Sequence, residues 1–260
     1  MEAATSRRHE APHCDHLVQV YSQSVDLADA AATFLASGFE SEEPAVVIAT
    51  AAHWPLIAGR LARRGWQTDR LEANELLHIR DAELLLDAIT DGGAPSASKF
   101  REVIGGLLHD AAKRHPRRRV RAFGEMVDVL VRRGEQTAAD TVERYWNELA
   151  SQSNFTLLCG YKLDLFDPEA QQGLLPQIHQ SHARVLPLHD EETFSAAVER
   201  ALNEVLGESD AKKVQARVSA GSTDAPASQL TLMWLTAHMP HAAIRVLALA
   251  RSHYAATPAA

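Results

Sequence analysis

The run PAVVIAT (44–50) constrains the fold more than any other part of the chain. It is continuous, apolar and β-branched. A strand of that kind is buried on both faces, and such strands belong to parallel sheets covered by helices on either side. The surrounding residues keep the same rhythm. HLVQVY (16–21) alternates as a strand, and Asp26 to Phe39 has helical periodicity through Leu27, Ala30, Phe34 and Leu35, with Gly38 fitting the stop. A helix from Trp54 to Arg64 ends at Gly65, LLHIR (76–80) forms a third strand, and a helix follows over Ala82 to Thr90. DGGAPSAS (91–98) is a loop by composition. A helix from Lys99 to Arg114 is closed by Pro116, and its Gly105–Gly106 pair is suited to close helix packing. RVRAFG (119–124) is a fourth strand, followed by helices over about 125–133 and 137–152 and by a fifth strand, FTLLCGY (155–161). A helix from Pro168 to Gln180, a sixth strand RVLPL (184–188) and a helix from Glu191 to Leu206 complete the alternation. Parallel strands need helical crossovers, so the expected fold is α/β, a doubly wound, mainly parallel sheet of about six strands.

This rhythm divides the chain. Residues 1–13 are expected to be a flexible N-terminal tail and residues 14–206 the α/β domain. Residues 207–228 are polar and small, and read as a linker, or a weak helix and then a linker. Residues 229–260 carry two short amphipathic helices split at Pro240. That appendage is too small to hold its own core and is expected to dock on the main domain or on a partner subunit.

Bulk properties narrow the function. The chain has 260 residues, 46% of them hydrophobic, enough for a sizeable core, and a formal net charge of −8. That balance argues against direct nucleic-acid binding, which needs a concentrated basic face. The basic run Lys113–Arg114–His115–Pro116–Arg117–Arg118–Arg119 reads as a solvated helix end. Two cysteines make no disulfide framework. The first twelve residues, MEAATSRRHEAP, are polar and suggest no signal peptide, and no apolar run approaches the ~20 residues that span a bilayer. A cytoplasmic location without membrane contact is expected.

In open α/β sheets, ligands bind beyond the carboxyl ends of the strands. Those ends carry Tyr21, Thr50 with His53 just after, Asp81, Phe123 with Glu125, and Tyr161. Together they could line a polar pocket with aromatic walls. The alternative is that strand ends always meet polar loops and that Asp81 and Glu125 serve helix N-termini. No G-x-x-x-x-G-K-[ST] loop and no G-x-G-x-x-G fingerprint is present, so ATP hydrolysis and dinucleotide binding have little support. HEAPHCDH (9–16) gathers His9, His13, Cys14, Asp15 and His16, which are zinc-ligand types, but their spacing matches no standard structural site. His179 and His182 sit near a helix end, Cys159 lies within a strand as inert buried thiols do, and no G-x-S-x-G elbow exists. No catalytic residue, metal or cofactor is expected.

HLVQVY, EEPAVVIATAAHWPLI, KFREVIGGLLHDAA, RAFGEMVDVL, RYWNELASQSNFTLLCGY and IHQSHARVLP, in that order over about residues 14–190, resemble the MEDS domain, the methanogen/methylotroph sensory domain of a dichloromethane-responsive regulator. The resemblance implies a RecA/KaiC-like α/β core that has lost its nucleotide loop. It also implies a non-enzymatic sensory role, binding a small, hydrocarbon-derived molecule. Relatives fuse the domain to kinase or DNA-binding modules. Neither module is expected from the residues on either side of the domain, so signalling is expected to pass through a regulatory protein partner, a kinase or a transcription regulator. Two alternatives stand beside this reading. One is an interaction or homo-oligomerisation module without a small ligand, using the C-terminal helices. The other is a degenerate nucleotide-binding protein.

Overall fold

A computed structural model describes residues 15–219 and 225–257, so most of HEAPHCDH and the expected tail lie outside the described residues. Strand β1 (His16–Tyr21) leads through α1 (Ser24–Glu40) to β2 (Ala45–Ala49), and α2 (Trp54–Arg63) and α3 (Thr68–Ala73) lead to β3 (Leu77–Asp81). Then come α4 (Ala82–Ile89), a small hairpin of β4 (Thr90–Asp91) and β5 (Ala94–Pro95), and α5 (Ala97–Phe100). A π-helical turn over Arg101–Gly105 joins α5 to α6 (Gly106–Lys113), which precedes β6 (Val120–Gly124). Helices α7 (Met126–Arg132) and α8 (Gln136–Ala150) cross to β7 (Phe155–Lys162), and α9 (Pro168–Gln172) and α10 (Leu174–Ser181) cross to β8 (Arg184–Val185). Four helices follow: α11 (Glu191–Leu206), α12 (Glu208–Ser219), α13 (Ala227–His238) and α14 (Pro240–Ala256).

Six strands pair in the order β3-β2-β6-β7-β1-β8, every pair parallel. All five residues of β2 are buried. Val46 and Ile48 face the core formed with α4 to α8, while Ala45, Val47 and Ala49 face α1 to α3. That two-sided burial is what PAVVIAT demands. Strand β7 divides likewise: Leu157, Cys159 and Tyr161 point to one core and Leu158 to the other. Gly160 lies under α1 so closely that a Cβ there would stand 2.7 Å from Leu27 Cδ1. On the opposite face Trp146 packs edge-on against Phe100, with ring centroids 5.3 Å apart, and is closed off by Phe155.

Local chemistry accounts for the departures from the expected elements. DGGAPSAS holds a hairpin because Gly92 (φ 58) and Gly93 (φ 86) supply the two positive-φ positions of a tight primed turn. The expected helix 168–180 breaks at Gly173, and Pro176, without an N–H, sits in the first turn of the restarted helix α10. The sixth strand is only two residues long because Pro187 cannot continue the ladder. Gly105 meets Leu149 at an ordinary 3.7 Å and Gly106 has open space, so neither provides the tight helix contact expected of the pair. Residues 208–219, in the segment expected to be a linker or weak helix, form α12, which buries Ala211, Val214 and Val218 at helical spacing. The C-terminal helices share a core with α11, including Phe194, Leu202, Leu232, Leu235 and Val246. No helix among the described residues is long and apolar enough to cross a membrane.

Candidate functional site

At the carboxyl edge of the sheet the chain turns sharply after Gly124, and Glu125 is carried inward with its side chain fully buried. Its backbone N–H donates to Ile48 O at 3.0 Å. One carboxylate oxygen accepts the Thr50 N–H at 2.7 Å, and the other lies 2.6 Å from His53 Nδ1. On the far side of the ring, His53 Nε2 lies 2.9 Å from Ser24 Oγ. With the Nδ1 proton donated to the carboxylate, Nε2 accepts from the serine hydroxyl. Three strand ends are thereby joined: β1 through Ser24, β2 through Thr50 and His53, and β6 through Glu125.

Tyr21 stands edge-on to His53, with ring centroids 5.8 Å apart, and donates its hydroxyl to Asp128 Oδ2 at 3.2 Å. Asp128 also accepts from Arg132 Nε at 2.9 Å and from the Lys162 N–H at 2.8 Å, and so binds β1 and β7 to α7. Burial raises the Asp128 carboxyl above its ordinary range, against the lowering effect of the Lys162 N–H and the Arg132 charge. Burial, and then the neighbouring Asp128 charge, push the Tyr21 phenol far up, so it remains a hydrogen-bond donor.

Four of the residues expected at a pocket, Tyr21, Thr50, His53 and Glu125, thus come together, and three do not join them. Asp81 caps α4, accepting from the N–H groups of Glu83 and Leu84 at 2.9 and 3.0 Å. Phe123 is fully buried in the core beneath α1. Tyr161 points to the opposite face of β7 and donates to Glu143 of α8. Sequence reasoning missed Ser24 and Asp128. The latter had a signal: a lone carboxylate inside the apolar run MVDVLV.

Beside this network lies a cavity of about 340 Å³, between the carboxyl ends of β1 and β7 and helices α11 and α14. Tyr21, Leu163, Phe166, Leu188, Phe194 and Tyr254 supply most of its apolar wall. Phe166, Phe194 and Tyr254 pack on one another, with ring centroids 5.3 to 6.1 Å apart. Two polar ties cross the same space: Tyr254 donates to Asp190, and Arg251 reaches Asp164 Oδ2 at 2.8 Å. Burial, and then the Asp190 hydrogen bond, raise the Tyr254 phenol above its ordinary value.

Tyr161 leads to a second group of buried polar side chains. Around Glu143 stand His16, Cys159 and His182, all buried. Burial lowers His16 to about 4 and His182 well below the usual histidine value, so both rings are neutral near pH 7. It raises Glu143 to about 7, countered in part by the Tyr161 hydroxyl.

Residues 15–182 match the family model described as MEDS: MEthanogen/methylotroph, DcmR Sensory domain. A search of curated proteins finds no match to the chain.

Proposed function

The chain belongs to the MEDS family of sensory domains, and from that premise we propose that it binds a small, largely apolar, hydrocarbon-derived molecule and signals its presence through a partner protein. The observation that carries this reading is the aromatic cavity between the sheet and α14. Its volume of about 340 Å³ falls at the lower end of the range for small-molecule sites, roughly 300–1,000 Å³. Its far wall belongs to the C-terminal helices, so a ligand there would touch the sheet and α14 together. Occupancy would favour one seating of α14 on α11, and a partner reading that helix would sense it. The test is ligand-observed NMR with a panel of short halogenated and oxygenated hydrocarbons. Saturable binding that also shifts α14 resonances supports the reading. A panel in which no compound binds, or one that binds without disturbing α14, opposes it.

A second reading rests on Ser24, His53 and Glu125. Their distances of 2.9 and 2.6 Å have the connectivity that activates a serine for acyl transfer. Ser24 is also the first residue of α1, and the N-terminus of a helix favours a developing oxyanion. A fluorophosphonate probe should label Ser24 if this reading holds. A chain left unlabelled keeps the three residues as a structural latch.

A further inference from the structure

The buried group around Glu143 is built as a metal shell is built. His16 Nδ1 lies 2.9 Å from Asn147 Oδ1, and the other end of that amide donates to the Ser181 carbonyl at 3.5 Å, which fixes its orientation. His182 Nδ1 lies 2.8 Å from the Ile178 carbonyl. Each imidazole therefore carries its proton on Nδ1 and turns the Nε2 lone pair inward. Outer-shell hydrogen bonds of this kind orient histidine ligands on metals. Tyr161 holds the Glu143 carboxylate in the same way.

The inward atoms are spaced for one ion. His16 Nε2 lies 3.3 Å from Cys159 Sγ and 3.7 Å from Glu143 Oε2, and His182 Nε2 lies 3.6 Å from Glu143 Oε1. All four donor atoms lie within 4.8 Å of one another. A tetrahedron with metal–ligand bonds of 2.0–2.3 Å has edges of about 3.3–3.8 Å. The same group makes a poor hydrogen-bonded cluster. Glu143 Oε2 and His182 Nε2 are buried without a hydrogen-bond partner among the described residues. The described ion-pair partners of Glu143 are the two histidines, with no lysine or arginine among them. A buried carboxylate without a cation is costly, and buried polar atoms are normally satisfied.

We infer that His16, Glu143, Cys159 and His182 bind one divalent transition-metal ion of the zinc class. Two imidazole nitrogens, a thiolate and a carboxylate oxygen are zinc donors, and they form a closed four-coordinate set. Binding releases the Cys159 thiol proton to solvent, and the Glu143 proton where it is present, leaving two anionic ligands against a 2+ ion. An entry path exists: a cavity of about 260 Å³ between α8 and α10 has Glu143, Asn147, Tyr161 and Ser181 in its wall. The ion would join β1, β7, α8 and the end of α10. His16 and His182 stand at the two ends of the family segment 15–182, so a single ion would close that segment. Of the motif HEAPHCDH, His16 belongs to this site among the described residues.

The test uses the full chain, stripped with a chelator and titrated with Co²⁺. The expected result is one ion per chain, a thiolate-to-cobalt charge-transfer band in the near ultraviolet, visible bands of tetrahedral intensity, and displacement by Zn²⁺. Cys159→Ser should lose the charge-transfer band, and His182→Gln should weaken Co²⁺ binding at least tenfold, with circular dichroism unchanged. If Cys159→Ser does not fold, His182→Gln and Glu143→Gln decide by affinity. A folded chain that gives no cobalt spectrum, a band that survives Cys159→Ser, or unchanged affinity in His182→Gln and Glu143→Gln would overturn the assignment.

Discussion

His53 Nδ1 lies 2.6 Å from a Glu125 carboxylate that has no solvent-exposed surface. The second oxygen of that carboxylate holds the Thr50 N–H at 2.7 Å. Glu125→Ala would leave two buried donors unpaired, and a loss of about 2–4 kcal/mol in stability is expected. Glu125→Gln keeps one acceptor and should lose less. Urea denaturation measures both. An unchanged midpoint for the alanine variant would show that the latch contributes nothing.

Asp128 predicts a pH dependence. Its carboxyl is raised in the folded chain, so the folded state binds more protons than the unfolded state between the ordinary aspartate value of about 3.9 and the raised one. The stability this group contributes is full below the ordinary value and is lost as pH rises through the raised value. The stability difference, wild type minus Asp128→Asn, should therefore fall as pH is raised across that window. Denaturation at a series of pH values reads it, and a flat difference would show that the ionisation is not coupled to folding.

Leu188 is half-buried and lines the cavity beside α14. Leu188→Trp would fill part of the 340 Å³ without disturbing the sheet. Ligand binding should be lost while stability changes by less than about 2 kcal/mol. Isothermal titration with the best compound of the hydrocarbon panel, run beside a thermal melt, separates the two effects. Full affinity in the filled variant would place the ligand elsewhere.

Gly160 is a packing requirement. Its Cβ position lies 2.7 Å from Leu27 Cδ1, so Gly160→Ala must displace α1 or force Leu27 off its rotamer. A loss of about 1–3 kcal/mol is expected. Leu27→Ala in the same chain should recover part of it, because the two changes act on one contact. Strictly additive losses would show that the two positions are not coupled.

The sheet was legible because every strand carries its own signal. PAVVIAT and FTLLCGY are apolar on both faces, and glycine or proline punctuates the helices between them. Much of the site was legible from strand ends alone: Tyr21, Thr50, His53 and Glu125 follow from the rule that ligands meet the carboxyl edge. The direction of Tyr161 follows from parity, since residues 159 and 161 must share a face and Gly160 must take the other. Glu143 and His182 carry no such signal. One lies in the middle of a helix and the other just after one, and the crossovers of the sheet, which no local pattern specifies, bring them to His16. Helix α12 read only as a linker or a weak helix because its three buried apolar residues are diluted by a polar majority.

The strand order also governs how the chain can be made. β1 sits inside the sheet between β7 and β8, and His16 pairs with Leu157, 141 residues further on (157 − 16). At about 5–20 residues per second of synthesis, β1 waits roughly 7–28 s for its first neighbour. Val18 and Val20, both buried in the finished fold, remain uncovered by the sheet during that interval. Contacts so distant in sequence also make for slow folding. The nascent chain should therefore depend on holding chaperones until β7 emerges.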